Sequence, residues 1–199
     1  GVAAAPALPT GKPAPLPPPG APTALQSPTA FGSDPAVTAR VRQQVLAAAL
    51  PASPNPDALR AAVSSGRPWE EFDRLLQQHG YDPRDLADVV AAFYLIAWEV
   101  ATGGDALSQP AGIAAVRGQA RQMLAGNQAM ARLSATERQA TAETLAFHAM
   151  AMAARHQDLH QAGGTLVAAY RTEVAQAVAQ GQGIGFAVPA VMVRQVVDS

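Results

Sequence analysis

His148, His156 and His160 stand at steps of eight and four residues. On one continuous helix these steps rotate by about 80° and 40°, so the three share one broad face. His156 and His160 lie one turn apart, a spacing that lets two imidazoles hold one zinc or copper ion. His148, His156 and His160 are therefore the candidate metal ligands of the sequence. No glutamate lies inside the repeat, as it does in the zinc-protease signature, and the sequence offers no evident fourth ligand. The run also ends beside Gly163-Gly164, where histidine suits a helix C-terminus. Surface or capping histidines are the competing reading.

Glu99 follows ten uncharged residues, 89–98. A carboxyl group beside such a run can have a raised pKa and act as an acid. The alternative is a structural ion pair with Arg117 or Arg121 of the following helix. Helix rotation puts Asp88, Trp98 and Glu99 on different azimuths, so they form no constellation by themselves. Ser64, Ser65, Ser108 and Ser134 fall at expected helix boundaries, where serine serves as a cap. None lies in a G-x-S-x-G elbow. The stretch GQGIG (residues 181–185) follows a helix instead of a strand and lacks the Lys-Ser/Thr of a phosphate loop. No catalytic constellation and no cofactor signature emerge, so the chain is expected not to be an enzyme.

The ends carry binding chemistry of another kind. Lys12, Pro15 and Pro18, within KPAPLPPP, match the basic-x-x-P-x-x-P pattern read by aromatic grooves. A plain spacer is the competing reading. Val188, Val191 and Val193 lie in the valine-rich stretch VPAVMVRQVV, which could add to another chain's sheet or groove.

The elements that must position these residues are helices, each with a start signal. Asp34-Pro35 opens the first, with Val37, Val41 and Val45 on one face and a stop before Pro51. Asn55-Pro56 opens a second that ends near Gly66. Pro68 opens a third, with Trp69, Phe72, Leu75 and Leu76 on one side and Gly80 as its stop. Asp82-Pro83 opens the fourth, which runs through VVAAFYLIAWEVATGG to Gly103-Gly104. Its apolar residues cover every azimuth, as in a helix surrounded on all sides. A fifth spans from Gln109-Pro110 to Gly126. Ser134 with Glu137 is a capping box for a sixth that reaches at least His156. A seventh carries Leu166, Val167, Tyr170, Val174 and Val178 and ends at Gly181.

The totals bound the rest. A chain of 199 residues fits one domain with tails. The expected fold is all-α: a compact bundle of about six or seven helices around one central buried helix. Residues 34–183 form this body. Residues 1–33, rich in proline and nearly uncharged, form an extended N-terminal arm. Residues 184–199 form an extended or short-strand tail. The 49% apolar content with only 5% aromatic residues calls for closely spaced, alanine-lined helices. A formal charge of −1 argues against a nucleic-acid partner. The absence of cysteine excludes disulfides and thiolate chemistry. No run reaches the ~18 apolar residues of a membrane span. Charge is uneven: residues 34–105 hold six arginines and ten acids, residues 106–199 seven arginines and five acids. Opposite halves could attract one another, although ordinary solvated helix faces account for the same pattern.

The succession GYDPRDLADVVAAFYLIAWEVATGG, QPAGIAAVRGQARQML and an alanine-rich capped helix resembles an uncharacterised bacterial family, the domain-of-unknown-function family numbered 6683. The resemblance covers about residues 68–185 and is most specific over residues 88–104. It implies a helical fold and an exported protein, periplasmic or extracellular; the start at Gly1 in place of a methionine is expected where a signal peptide or a tag has been removed. It transfers no catalytic residue. The sequence thus leads to a non-enzymatic exported interaction or assembly subunit. Its partners would be another protein or copies of itself, met through residues 1–33 and 184–199. The alternative is a helical domain that binds a small ligand or a metal.

Overall fold

A computed structural model describes residues 27–179. Eight α-helices follow one another: α1 (Pro35–Ala49), α2 (Pro56–Ser65), α3 (Arg67–Gln78), α4 (Leu86–Thr102), α5 (Pro110–Gly126), α6 (Gln128–Ala131), α7 (Ala135–Ala162) and α8 (Leu166–Ala179). The added member, α6, is a single turn. Among the described residues there is no β-strand, and one isolated antiparallel bridge joins Ala30 to Asp85. Residues 184–199, expected to be extended or a short strand, and the larger part of the expected N-terminal arm lie outside the described residues.

The starts follow from the sequence. Asp34 accepts the Ala36 N–H, Asn55 the Ala58 N–H and Asp85 the Ala87 N–H, each meeting a helix donor that has no partner within its own helix. Ser134 and Glu137 form the expected capping box of α7. The turn from α2 into α3 needs a left-handed residue, and Gly66 supplies it at φ 74°. Ser65 and Ser108 donate to nearby backbone carbonyls at helix ends, consistent with structural roles.

Helix α4 is the spine. Every residue from Leu86 to Ala97 is buried, because α7, α5, α8 and α3 all pack around it. Alanines on both α4 (Ala87, Ala91, Ala97) and α7 (Ala142, Ala146, Ala149) are buried in this core, and small side chains permit close helix approach. Larger groups from the flanks fill the remaining space: Phe72, Leu76, Leu124 and Leu145 are almost fully buried. A second, smaller core joins Val37, Val41 and Val45 of α1 to Val63 and Phe147. Burial of each such side chain is worth about 1.5–3 kcal/mol.

Two boundaries differ from expectation. Helix α4 begins at Leu86, not at Asp82-Pro83. Asp82 instead forms a turn: its carboxylate accepts the Arg84 N–H, its carbonyl accepts the Asp85 N–H, and its own N–H goes to Asp88. The body also begins before Asp34. Residues 27–33 lie along the start of α4: the Phe31 N–H donates to the Arg84 carbonyl and the Leu86 N–H to the Thr29 carbonyl. Thr29 Oγ1 donates to Asp85 at 2.6 Å, and Arg138 of α7 donates to the Ala30 carbonyl at 2.9 Å. Phe31 enters the core. Buried Gln139 of α7 then brackets Asp34, accepting its N–H and donating to its carbonyl.

Candidate functional site

The polar centre of the molecule is built on Asp88, in the first turn of α4. Its side chain is fully buried, and a buried carboxylate persists only when its oxygens are answered. Arg117 of α5 does so with two hydrogen bonds, Nε to Oδ1 and Nη2 to Oδ2, both 2.9 Å. The Asp82 N–H donates to Oδ2 at 2.8 Å. Arg121, one turn further along α5, brings Nη2 to 3.6 Å from Oδ1. The i, i+4 spacing places both guanidinium groups on the same side of α5.

The end of α3 completes this centre. Gly80 adopts φ 74°, and the Tyr81 N–H turns back to the Leu76 carbonyl. The turn drops Tyr81 into the bundle, where its hydroxyl donates to the Ile113 carbonyl of α5. Arg117 lies over the Tyr81 ring, 5.3 Å from its centroid. Burial, and then the Asp88 charge, push the Tyr81 phenol well above its ordinary value. Burial pulls the Arg117 guanidinium down, but its bonds to Asp88 outweigh that, and the net shift is upward. Beside Tyr81 a cleft of about 350 Å³ opens, with His79, Leu107, Pro110, Arg117 and Arg121 in its wall.

Glu99 lies elsewhere. The expected ion pair with Arg117 or Arg121 does not form: both arginines turn to Asp88. The short α4–α5 connection makes the two helices antiparallel neighbours. Advancing along α5 therefore moves away from Glu99 and towards the start of α4. Glu99 instead accepts the Ala106 N–H at 3.1 Å. Burial raises its pKa, against the lowering effect of that hydrogen bond.

Glu99 and His156 share a cleft of about 300 Å³ with Leu75, Ile96 and Met150, a meeting that the separate sequence readings missed. His156 Nε2 accepts from Arg171 Nε at 3.0 Å. Burial, then Arg171 and His160, lower the His156 pKa. Both groups are thereby displaced towards their neutral forms. No serine or threonine lies in the cleft wall.

The histidine metal expectation meets a different geometry. His156 and His160 do stand one turn apart, with ring centroids 6.4 Å from each other. His148 sits two turns back, edge-on to Phe147 at 5.6 Å, and burial lowers its pKa. Among the described residues no three His, Asp or Glu side chains gather into a set that could hold a metal ion. The helical period placed the rings on one broad face but gave no hint of Arg171, whose cation occupies His156. Lys12, Pro15, Pro18, Val188, Val191 and Val193 lie outside the described residues.

A third, polar cleft of about 200 Å³ joins Thr38, Arg42, Asp73, Arg84 and Glu143 beside Phe31. Thr38 Oγ1 donates to Glu143 at 2.6 Å. Arg84 pairs with Asp73 at 3.2 Å, whose carboxyl is nonetheless shifted upward by burial. No local sequence signal links residues so far apart. Asp88 did leave one: an acid in the opening turn of an otherwise apolar helix, followed by two arginines at i, i+4 on the next.

Among the described residues, no helix is long and apolar enough to cross a membrane. No curated protein and no solved structure matches the chain. Residues 19–185 match a family of unknown function, DUF6683, which extends the resemblance back through α1, α2 and the segment before them. The buried Asp88 centre, the all-helical body and the segment fixed to its surface all fall inside that match, and the chain belongs to this family.

Proposed function

We propose that the chain is a non-enzymatic, exported interaction or assembly subunit. A rigid helical body presents its proline-rich N-terminal arm and valine-rich C-terminal tail to another protein or to further copies of itself. The attachment of residues 27–33 carries this reading. Backbone bonds at Phe31 and Leu86, the Thr29–Asp85 contact and Arg138 fix the base of the arm at one place on the body. A spacer with no task gains nothing from so specific a root, whereas an arm that must reach a partner does. Export rests on the family resemblance and is tested by fractionating cells that make the protein from its full native gene.

The direct experiment removes residues 1–26 and keeps the root. Self-association by light scattering, or capture of partners in pull-downs, is expected to disappear while helicity and Tm remain those of the full chain. Unchanged assembly and capture would overturn the proposal. A second reading, that the body binds a small ligand, is favoured by the cationic cleft beside Tyr81. The metal version of that reading has no ligand set among the described residues.

A further inference from the structure

We infer that the cleft between Tyr81 and α5 binds the carboxylate of a small apolar acid, held chiefly by Arg121. The inference rests on the small-ligand reading and names its ligand class. Charge is the first argument. His79, Arg117 and Arg121 line the cleft, and no acid does. Asp88 lies behind the wall and is the carboxylate that both arginines meet. Both guanidinium groups share this one direct carboxylate partner, with Asp85 acting on Arg117 from further off, and the charged side chains in the cleft wall itself are all basic.

The two arginines are not equally committed. Arg117 gives Asp88 two short bonds and lays its plane over Tyr81. Arg121 reaches Asp88 only at 3.6 Å, and its Nε is buried without a hydrogen bond. A buried guanidinium donor left unanswered is costly, and a carboxylate is the group whose two oxygens match its fork. Apart from Gln78, the remaining wall is mostly apolar: Tyr81, Pro110, Ile113 and Ala114, with Leu107 standing 65% exposed. A volume of about 350 Å³ falls at the lower end for small-molecule sites. One incompletely answered guanidinium and a mostly apolar wall fit a monoanion with a short hydrocarbon body better than a doubly charged phosphate.

The test uses the full chain and four probes: hexanoate, hexanol, and a tripeptide ending in leucine as its free acid and as its amide. Hexanoate or the free-acid peptide is expected to bind saturably by calorimetry and to raise Tm, with hexanol and the amide far weaker. Tighter binding of the free-acid peptide assigns the carboxylate to a chain terminus; tighter binding of hexanoate assigns it to a free acid. Arg121→Gln is expected to weaken binding by about tenfold or more. Leu107→Glu, at an exposed position that cannot unfold the body, is expected to weaken it as well. Hexanol binding as well as hexanoate would keep the small-ligand reading and overturn the carboxylate assignment. Binding unaffected by both substitutions would place the ligand elsewhere. No binding by any probe would overturn the inference and remove the support that this cleft lends to the small-ligand reading.

Discussion

At the start of α4, the Asp88 carboxylate is shut away from water and accepts from Arg117 and the Asp82 backbone, with Arg121 3.6 Å away. Three turns later, the Glu99 carboxylate stays half-buried, accepts the Ala106 N–H and shares a cleft with His156. The residue types are nearly the same and the helix is the same. What differs is the number of donors that the fold has fixed around each. At the first end a charge has become part of the architecture. At the second, burial works against the charge, and the group is left responsive to pH.

Replacing Asp88 by Ala is the largest way to break this comparison. It leaves Arg117 with no buried counter-charge, and a loss of about 3–5 kcal/mol is expected in urea unfolding. A loss below 1 kcal/mol would show that Asp88 is not what holds α5 to α4. Asp85→Ala comes next, since Asp85 both caps α4 and receives Thr29. A loss of about 1–2 kcal/mol is expected, with faster amide exchange at Phe31 and Leu86.

Glu99→Gln is expected to change stability at pH 7 by less than about 0.5 kcal/mol, and its signature is pH dependence. A carboxyl whose pKa is raised by folding contributes stability that is present below its unfolded pKa and lost as pH rises through the folded one. The wild type should therefore gain on Glu99→Gln as pH falls from 7 towards 4. His156 carries the opposite sign. Its pKa is lowered by folding, so its contribution is present above about 6.5 and lost as pH falls. His156→Gln should accordingly lose less stability than the wild type between pH 6.5 and 5, the smallest effect of the four. Thermal unfolding across this range in identical ionic strength checks both. Parallel curves for wild type and both variants would erase the contrast between the two ends of α4.

The helical layout was legible because it is written locally. Asp34, Asn55 and Ser134 cap where short-range chemistry places them, and the apolar run 89–97 could only be surrounded. Asp82-Pro83 carries an equally good start signal, yet Asp88 captures the Asp82 N–H and the helix starts three residues later, capped by Asp85. That competition turns on a residue six positions further along, outside the reach of the cap signal itself. The same holds for the site. The period of α7 grouped His156 with His160 but could not show Arg171. The pairing of α5 with α4 was foreseen, but not that Asp88 would take the arginines first. Phe31 was hidden by the proline-rich composition around it, which describes an average and not one buried ring.

The anchored segment has a consequence for the order in which the protein is made. Residues 27–33 leave the ribosome early, but Arg138, which grips the Ala30 carbonyl, is 108 residues further along the chain. Until α4 and α7 have been synthesised and packed, Phe31 has no cavity to enter and its apolar ring stays exposed. The first described piece of the molecule to be made thus cannot settle until most of the body has followed it. Any helper that guards the nascent chain would meet Phe31 before it meets the fold.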